Sequence, residues 1–194
     1  GFLALVSPLI ESGILPADCQ LNVPAVSGYS GGGKSMIGAH DAGGLAPQFS
    51  YGVNLAHKHL AEMTHYAGLQ TPPIFMPSVG DFYAGMLVHL PLHADQFSTA
   101  VNADQVYQLY ADWYAGAALV RMGAACANDE NTPNMLAADA LADTDSMEIF
   151  VFSDAQARRF WLVARLDNLG KGASGAAVQN MNIALGIDEA ISLA

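Results

Sequence analysis

Phe160-Trp161-Leu162-Val163-Ala164-Arg165-Leu166-Asp167-Asn168-Leu169-Gly170-Lys171-Gly172-Ala173-Ser174-Gly175 is the stretch on which the fold reading turns. Residues 160–166 form an apolar, β-prone run that stops at Asp167-Asn168. Gly170 and Gly172 then break the extended path, and from Ala173 the pattern turns helical, with Val178, Met181 and Leu185 on one face. A strand ending in Asp-Asn, a Gly-Lys-Gly turn and a helix N-terminus together offer unpaired backbone N–H groups to a polar ligand. Without a ligand the same string is a surface turn, and spacing alone leaves both readings open.

Working outward, residues 147–152 read as a second strand, joined to 160–166 by the hairpin Ser-Asp-Ala-Gln-Ala-Arg-Arg. Residues 119–122 suggest a short strand and 128–144 a long polar loop. Residues 103–114 predict a helix burying Val106, Leu109, Tyr110 and Trp113. Residues 72–77 and 85–92 are strand-like, 51–66 a helix candidate, 35–50 a Gly- and Ala-rich loop, and 20–27 a strand running into a glycine turn. At the start, Phe2, Leu5, Val6, Leu9 and Ile10 share a helical face and Gly13 can end that helix. A chain opening inside an amphipathic helix is expected to continue a longer one. Strands following strands with helices between some of them predict an α+β fold: a mixed, largely antiparallel sheet with helices on one face.

Apolar residues make up 52% of the 194 and charged residues 13%, which fits a globular protein with a sizeable core. A net charge of −11 argues against nucleic acid or an anionic membrane as partner, and no apolar run reaches the roughly 18–20 residues of a span. Two cysteines, Cys19 and Cys126, are no disulfide framework, so a reducing, cytoplasmic setting is expected.

Gly28-Tyr29-Ser30-Gly31-Gly32-Gly33-Lys34-Ser35 matches the phosphate-binding Gly-x4-Gly-Lys-Ser pattern after a predicted strand. That chemistry needs a helix directly after Ser35. Met-Ile-Gly-Ala-His-Asp-Ala-Gly-Gly is a poor one, because each glycine costs about 1 kcal/mol against alanine. A P-loop NTPase and a plain glycine hairpin remain alternatives. In Tyr51…His57-Lys58-His59-Leu60-Ala61-Glu62, His59 and Glu62 lie three apart on a helix, whereas His57 is rotated away. This is not the i, i+4 pair of a zinc site, so no metal is expected. A solvated helix face is the bland alternative. His40, His65, His89 and His93 match no motif and are assigned structural or surface roles.

Taken in order, these motifs resemble the N-acetyl-γ-glutamyl-phosphate reductases, relatives of aspartate-semialdehyde dehydrogenase. The glycine turn resembles their Ser-Gly-x-Ser-Gly-x-Gly-Lys/Arg loop, the histidine segment their Tyr…His-Arg/Lys-His-x-Pro-Glu motif with Ala61 in place of proline, and residues 167–182 their C-terminal signature. The resemblance implies the C-terminal fold of the glyceraldehyde-3-phosphate and aspartate-semialdehyde dehydrogenases. Residues 1–170 would be a catalytic and dimerisation domain, and 171–194 a helix that packs on an N-terminal NADP-binding domain. It implies NADPH-dependent reduction of an acyl phosphate, with His59 as general acid/base, Tyr51, His57 and Glu62 shaping the substrate pocket, and Ser30, Gly31 and Asn168 beside the NADP nicotinamide. A homodimer or homotetramer is implied. The family's nucleophilic cysteine belongs to a Gly-Cys-Tyr-Pro-Thr-type motif upstream of the first helix, and neither Cys19 nor Cys126 matches it. The dinucleotide Gly-x-Gly-x-x-Gly fingerprint is missing as well, so the chain alone is expected to be inactive. Aspartate-semialdehyde and aminoadipyl-phosphate reductases, and a non-catalytic dimerisation module, are the alternatives.

Overall fold

Leu90 and Leu92, Ile149 and Val151, and Leu162 and Ala164 alternate along three neighbouring strands, and all six are buried. That period of two, on strands adjacent in space, gives the sheet one face committed to the core. The computed structural model describes residues 1–123 and 135–193. In chain order the elements are α1 (Phe2–Glu11), β1 (Asn22–Gly28), a 3-10 turn (Tyr29–Gly32), α2 (Gly33–Asp41), β2 (Gln48–Ser50), α3 (Leu60–Tyr66) and β3 (Ile74–Gly80). They continue with β4 (Met86–His93), α4 (Ala103–Trp113), β5 (Val120–Met122), β6 (Met147–Ser153), β7 (Arg159–Leu166), a π-helical turn (Gly170–Ser174) and α5 (Gly175–Ala184).

The strands form a single sheet in the order β2-β3-β1-β4-β7-β6-β5. β1 with β3 and β5 with β6 run parallel, and the other four pairings are antiparallel. The fold is therefore α+β on a mixed, largely antiparallel sheet, as the sequence predicts. The main core joins the inner face of the sheet to α1, α3 and α4. On the other face Glu148 sits between two guanidiniums. Its Oε1 accepts from Arg121 Nε at 3.0 Å and its Oε2 from Arg165 Nε at 2.9 Å. Burial opposes ionisation of Glu148, but the two arginines outweigh it and hold its carboxyl below the usual range. Beside this ladder Phe150 stacks on Phe152, which abuts the half-exposed Trp161.

Helix α1 lies against β4 and β7 with Leu5, Val6 and Leu9 wholly shielded, each contributing about 1.5–3 kcal/mol. Pro8 sits inside it. Lacking an N–H, it leaves the Ala4 carbonyl without its helical donor. Helix α4 compensates: the Tyr114 hydroxyl donates to that carbonyl at 2.9 Å, and the buried Tyr110 hydroxyl donates to the Leu5 carbonyl. Burial pushes the Tyr114 phenol up to about 12 and raises Tyr110 well above its ordinary value, so both remain donors through the neutral range. Asn102 starts α4 with a reciprocal capping box to Gln105. On α4, Val106 and Tyr110 are buried as expected, whereas Trp113 is exposed.

Three segments depart from the sequence reading. Residues 35–50 are not all loop: α2 begins at Gly33, and Gln48–Ser50 pairs with β3. The Met36 side chain packs over Gly32, and contacts from His40 described below offset the glycine cost. Residues 51–66 are helical only from Leu60. Gly52 and Leu55 adopt positive φ, and the Leu55 N–H closes a turn on the Gly52 carbonyl at 2.9 Å, so helix cannot start earlier. The Gly-Lys-Gly segment is a π-helical turn that runs directly into α5 instead of an open turn ahead of it. Met181 of α5 and Leu185 at its C-cap are exposed, and the helix's buried positions are Gly175 and Asn182. Cys126 and the first part of the polar loop lie outside the described residues. The buried Cys19 is a free thiol.

Tyr114→Phe is expected to destabilise the protein by about 1–2 kcal/mol by leaving the Ala4 carbonyl unpaired. In a Pro8→Ala background the restored amide takes over that carbonyl and the same change costs less. Urea denaturation of the four variants tests the coupling, and equal losses in both backgrounds would refute it.

Candidate active site

The segment 51–59 crosses one end of the sheet, its Tyr51 N–H donating to the Pro77 carbonyl at 3.1 Å. It delivers His59 to the N-cap of α3, where Glu62 occupies the first turn, a favourable place for a negative charge. His59 Nδ1 lies 2.8 Å from Glu62 Oε2. An ionised carboxylate can only accept, so Nδ1 donates and Nε2 is left for a substrate. His57 Nδ1 accepts the His59 amide at 3.2 Å, so its neutral ring carries the proton on Nε2. Its ring lies 5.7 Å from that of Tyr51, 5.2 Å from His59 and, edge-on, 4.9 Å from Phe75. Burial, then the charges of His59 and Lys58, lower the His57 pKa, and burial raises that of Tyr51. Tyr51, His57, His59 and Glu62 are thus one cluster. His59 and Glu62 border a cleft of about 230 Å³ whose apolar wall is Phe2, Met63, Phe75, Met86 and Val88, with Gly1 at its rim.

The second cluster lies at the ends of β1 and β7. Asn168 spends both ends of its carboxamide: Oδ1 accepts the Gly85 N–H at 2.8 Å and Nδ2 donates to the buried Ser30 Oγ at 3.0 Å. A Cβ on Gly31 would stand 3.0 Å from Ser27 Oγ and 3.3 Å from Asn168 Nδ2, so only glycine fits without displacing them. The N–H groups of Gly28, Tyr29 and Ser30 donate to the Gly85, Phe82 and Tyr83 carbonyls at 2.9–3.1 Å. Those amides are therefore not free to wrap a phosphate, although a helix does follow the glycines.

Sequence reasoning missed Asp167. It is buried, with Oδ1 accepting the Leu169 N–H at 2.8 Å and Oδ2 the Asp143 N–H at 2.7 Å, and pins the loop before β6 to the end of β7. Its only signal was an acidic residue closing an apolar strand. Between the clusters lies Gly1, packed on Val88 and Leu166 and bordering the His59 cleft. No described hydrogen bond joins them directly. Among the described residues no group of three or more His, Cys, Asp or Glu side chains could hold a metal, and no helix is long and apolar enough to cross a membrane.

A seven-stranded mixed sheet with helices on its inner face and a His–Glu pair at the start of α3 defines the sheet domain of a semialdehyde dehydrogenase. A family model described as "Semialdehyde dehydrogenase, dimerisation domain" matches residues 1–168, and the chain belongs to that family. It is 44% identical over 204 residues to an N-acetyl-gamma-glutamyl-phosphate reductase of Trichormus variabilis, covering all of this chain and 63% of that protein. The like-named protein of Rhizobium rhizogenes is 44% identical over 190 residues, covering 95% and 61%. The chain thus spans a little over three-fifths of the length of these relatives. The fold is shared with aspartate semialdehyde dehydrogenases from Francisella tularensis (TM-score 0.67, 13% identity, 95% of this chain and 62% of that one) and Vibrio cholerae (0.64, 17%, 95% and 59%).

The His57 ring is expected to stay neutral as pH falls through the range, near about 6.5, in which a free imidazole gains its proton. Nitrogen-15 NMR of the histidine rings should show a depressed midpoint and an Nε2–H tautomer. An Nδ1–H tautomer would contradict the geometry.

Proposed function

We propose that this chain is the substrate-handling and self-associating part of an NADP-dependent N-acetyl-γ-glutamyl-phosphate reductase of arginine biosynthesis, acting in the cytoplasm. The observation that carries this is the Tyr51–His57–His59–Glu62 cluster, whose His59 and Glu62 border the cleft at the start of α1, in a chain 44% identical over its whole length to proteins of that name.

In the proposed reaction an acyl phosphate is captured by a cysteine thiol, which the resemblance assigns upstream of α1, and the cofactor NADPH supplies the hydride that carries the acyl group to the aldehyde. His59 Nε2 accepts the thiol proton and passes it to the departing phosphate oxygen, so the phosphate leaves protonated. Glu62 fixes the ring through Nδ1 and stabilises its cationic form. The resulting thiolate–imidazolium pair keeps the nucleophile ionised. His57, neutral with a free Nε2–H, and the protonated Tyr51 are donors suited to the oxygens of an anionic substrate.

Ser30, Gly31 and Asn168 suit only the nicotinamide end of NADP. Gly31 presents no side chain to a flat ring, and none of the three carries a charge for the phosphates. Those fall to a nucleotide-binding domain, on which we expect residues 171–194 to pack through the exposed Met181 and Leu185. The outer face of the sheet around Phe152 and Trp161 is the proposed self-association surface.

In the complete protein, His59→Ala is expected to lower kcat for N-acetyl-γ-glutamyl phosphate about 10²–10⁴-fold with an unchanged fold. The 194-residue chain alone should show no turnover. A preference for aspartyl or aminoadipyl phosphate, or turnover by the chain alone, would overturn the reading. Trp161→Glu is expected to shift the protein towards monomer in sedimentation. An unchanged oligomer would exclude this face.

A further inference from the structure

Helix α2 buries none of its own side chains. Its first residue, Gly33, takes φ +67 with open space around the missing Cβ, and beside it Met36 packs on Gly32 of the preceding turn. What reaches out from α2 to the rest of the fold is His40. Its Nε2 lies 2.8 Å from Oδ1 of Asp81, in the turn between β3 and β4. Its ring lies flat on Tyr29 of the 3-10 turn, centroids 3.8 Å apart and planes 13° from parallel, and Tyr29 meets Tyr83 edge-on. The neighbouring Asp41 brings a second carboxylate to 3.6 Å from Nδ1.

These contacts close a ring. Residues 82–85 accept the amides of Gly28, Tyr29 and Ser30, Tyr29 carries the imidazole, and the imidazole returns to Asp81 beside Phe82. Inside the ring sit Ser30 and Gly31, with Ser30 bonded to Asn168.

We propose that His40 is a positioning residue: with Asp81 and Tyr29 it latches α2 down and so holds the Ser30–Gly31 turn in the shape that receives the nicotinamide end of the cofactor. The cofactor half of this inference rests on the reading given under Proposed function. The latch itself rests only on the contacts described. His40 touches neither the His59 cleft nor Asn168 in any described contact, so it acts on cofactor affinity and leaves proton transfer alone.

The test uses the complete protein and its His40→Ala, His40→Gln, Asp81→Ala and His40→Ala/Asp81→Ala variants. His40→Ala should speed amide exchange across residues 33–41 and weaken NADPH binding, read by fluorescence titration, about tenfold, the scale of one lost charge-assisted hydrogen bond. The rate kcat should stay within about twofold, since no transition-state contact is removed. His40→Gln, which can still donate to Asp81, should recover most of the loss, and the double variant should be no worse than either single one. A fall in kcat at unchanged NADPH affinity, additive losses in the double variant, or unaltered exchange in α2 would each overturn the proposal. If the unmodified protein neither binds NADPH nor reduces an acyl phosphate, the functional reading fails, and the α2 exchange data still decide the latch.

Discussion

The burial of α1 against β4 and β7 is the constraint on which the rest of the structure depends. Leu5, Val6 and Leu9 are removed from water, and Pro8 breaks the helix's own hydrogen-bond ladder in the middle of that contact. An interior carbonyl so exposed must find a donor or cost about 1–3 kcal/mol. Its donor is the Tyr114 hydroxyl, and the buried Tyr110 hydroxyl donates to the neighbouring Leu5 carbonyl, so α4 cannot slide along α1 without unpairing the Ala4 carbonyl and the Tyr110 hydroxyl. Apolar burial sets how deep α1 sits, and the two tyrosines set its register. With α1 fixed, Gly1 is held against Val88 and Leu166, and the cleft under His59 acquires its wall.

The two halves of the candidate site differ in mechanical character. Around Asn168 the polar atoms are already paired: both ends of its carboxamide and both oxygens of Asp167 hold backbone or side-chain partners with little exposure. Such a network keeps one geometry, because any shift orphans a buried group. The histidine cluster is the reverse. His59 and Glu62 are half-exposed or more, the approach from residue 51 passes two positive-φ residues, and the described hydrogen bonds of both imidazoles use Nδ1. On the proposed reading, a rigid half beside an adjustable one would suit a reaction in which the acyl group changes geometry and the cofactor ring only has to be held at a fixed angle.

What the sequence disclosed follows the range of the interactions involved. Strands 147–152 and 160–166 were legible because period-two alternation is a local consequence of burying one face, and the boundaries moved by only a residue. Helix α2 was not, since its glycines argue against helix locally and its contact to Asp81 lies 41 residues away. The over-long helix at 51–66 came from reading His59 and Glu62 as helical neighbours. That spacing is real, but the left-handed Leu55 that forces a turn before it has no signature in a leucine. The bond of Ser30 to Asn168 spans 138 residues, and only a resemblance, not any spacing, could group the two. Asp167 and Tyr114 escaped for the same reason: each answers a backbone group exposed elsewhere in the fold.

The charge balance narrows how an anion could be held. The chain has seven Lys and Arg against eighteen acidic residues. Arg121 and Arg165 are committed to Glu148 and Arg159 to Asp154, while Lys171 donates to Gln179, which in turn donates to Glu189. That leaves the exposed Lys34, Lys58 and Arg158, and of these Lys58 alone lies within the cluster around the cleft, between the two histidines. On the proposed reading, an acyl phosphate arriving there would meet the charge of Lys58 and the neutral donors His57 and Tyr51, in a chain whose net charge of −11 repels it. On that reading, binding would depend on short-range hydrogen bonds from His57 and Tyr51 rather than on long-range attraction, which fades within about 8–10 Å at physiological salt. A site of that kind gains specificity from geometry, since a ligand with its oxygens misplaced by an ångström keeps the repulsion and loses the bonds.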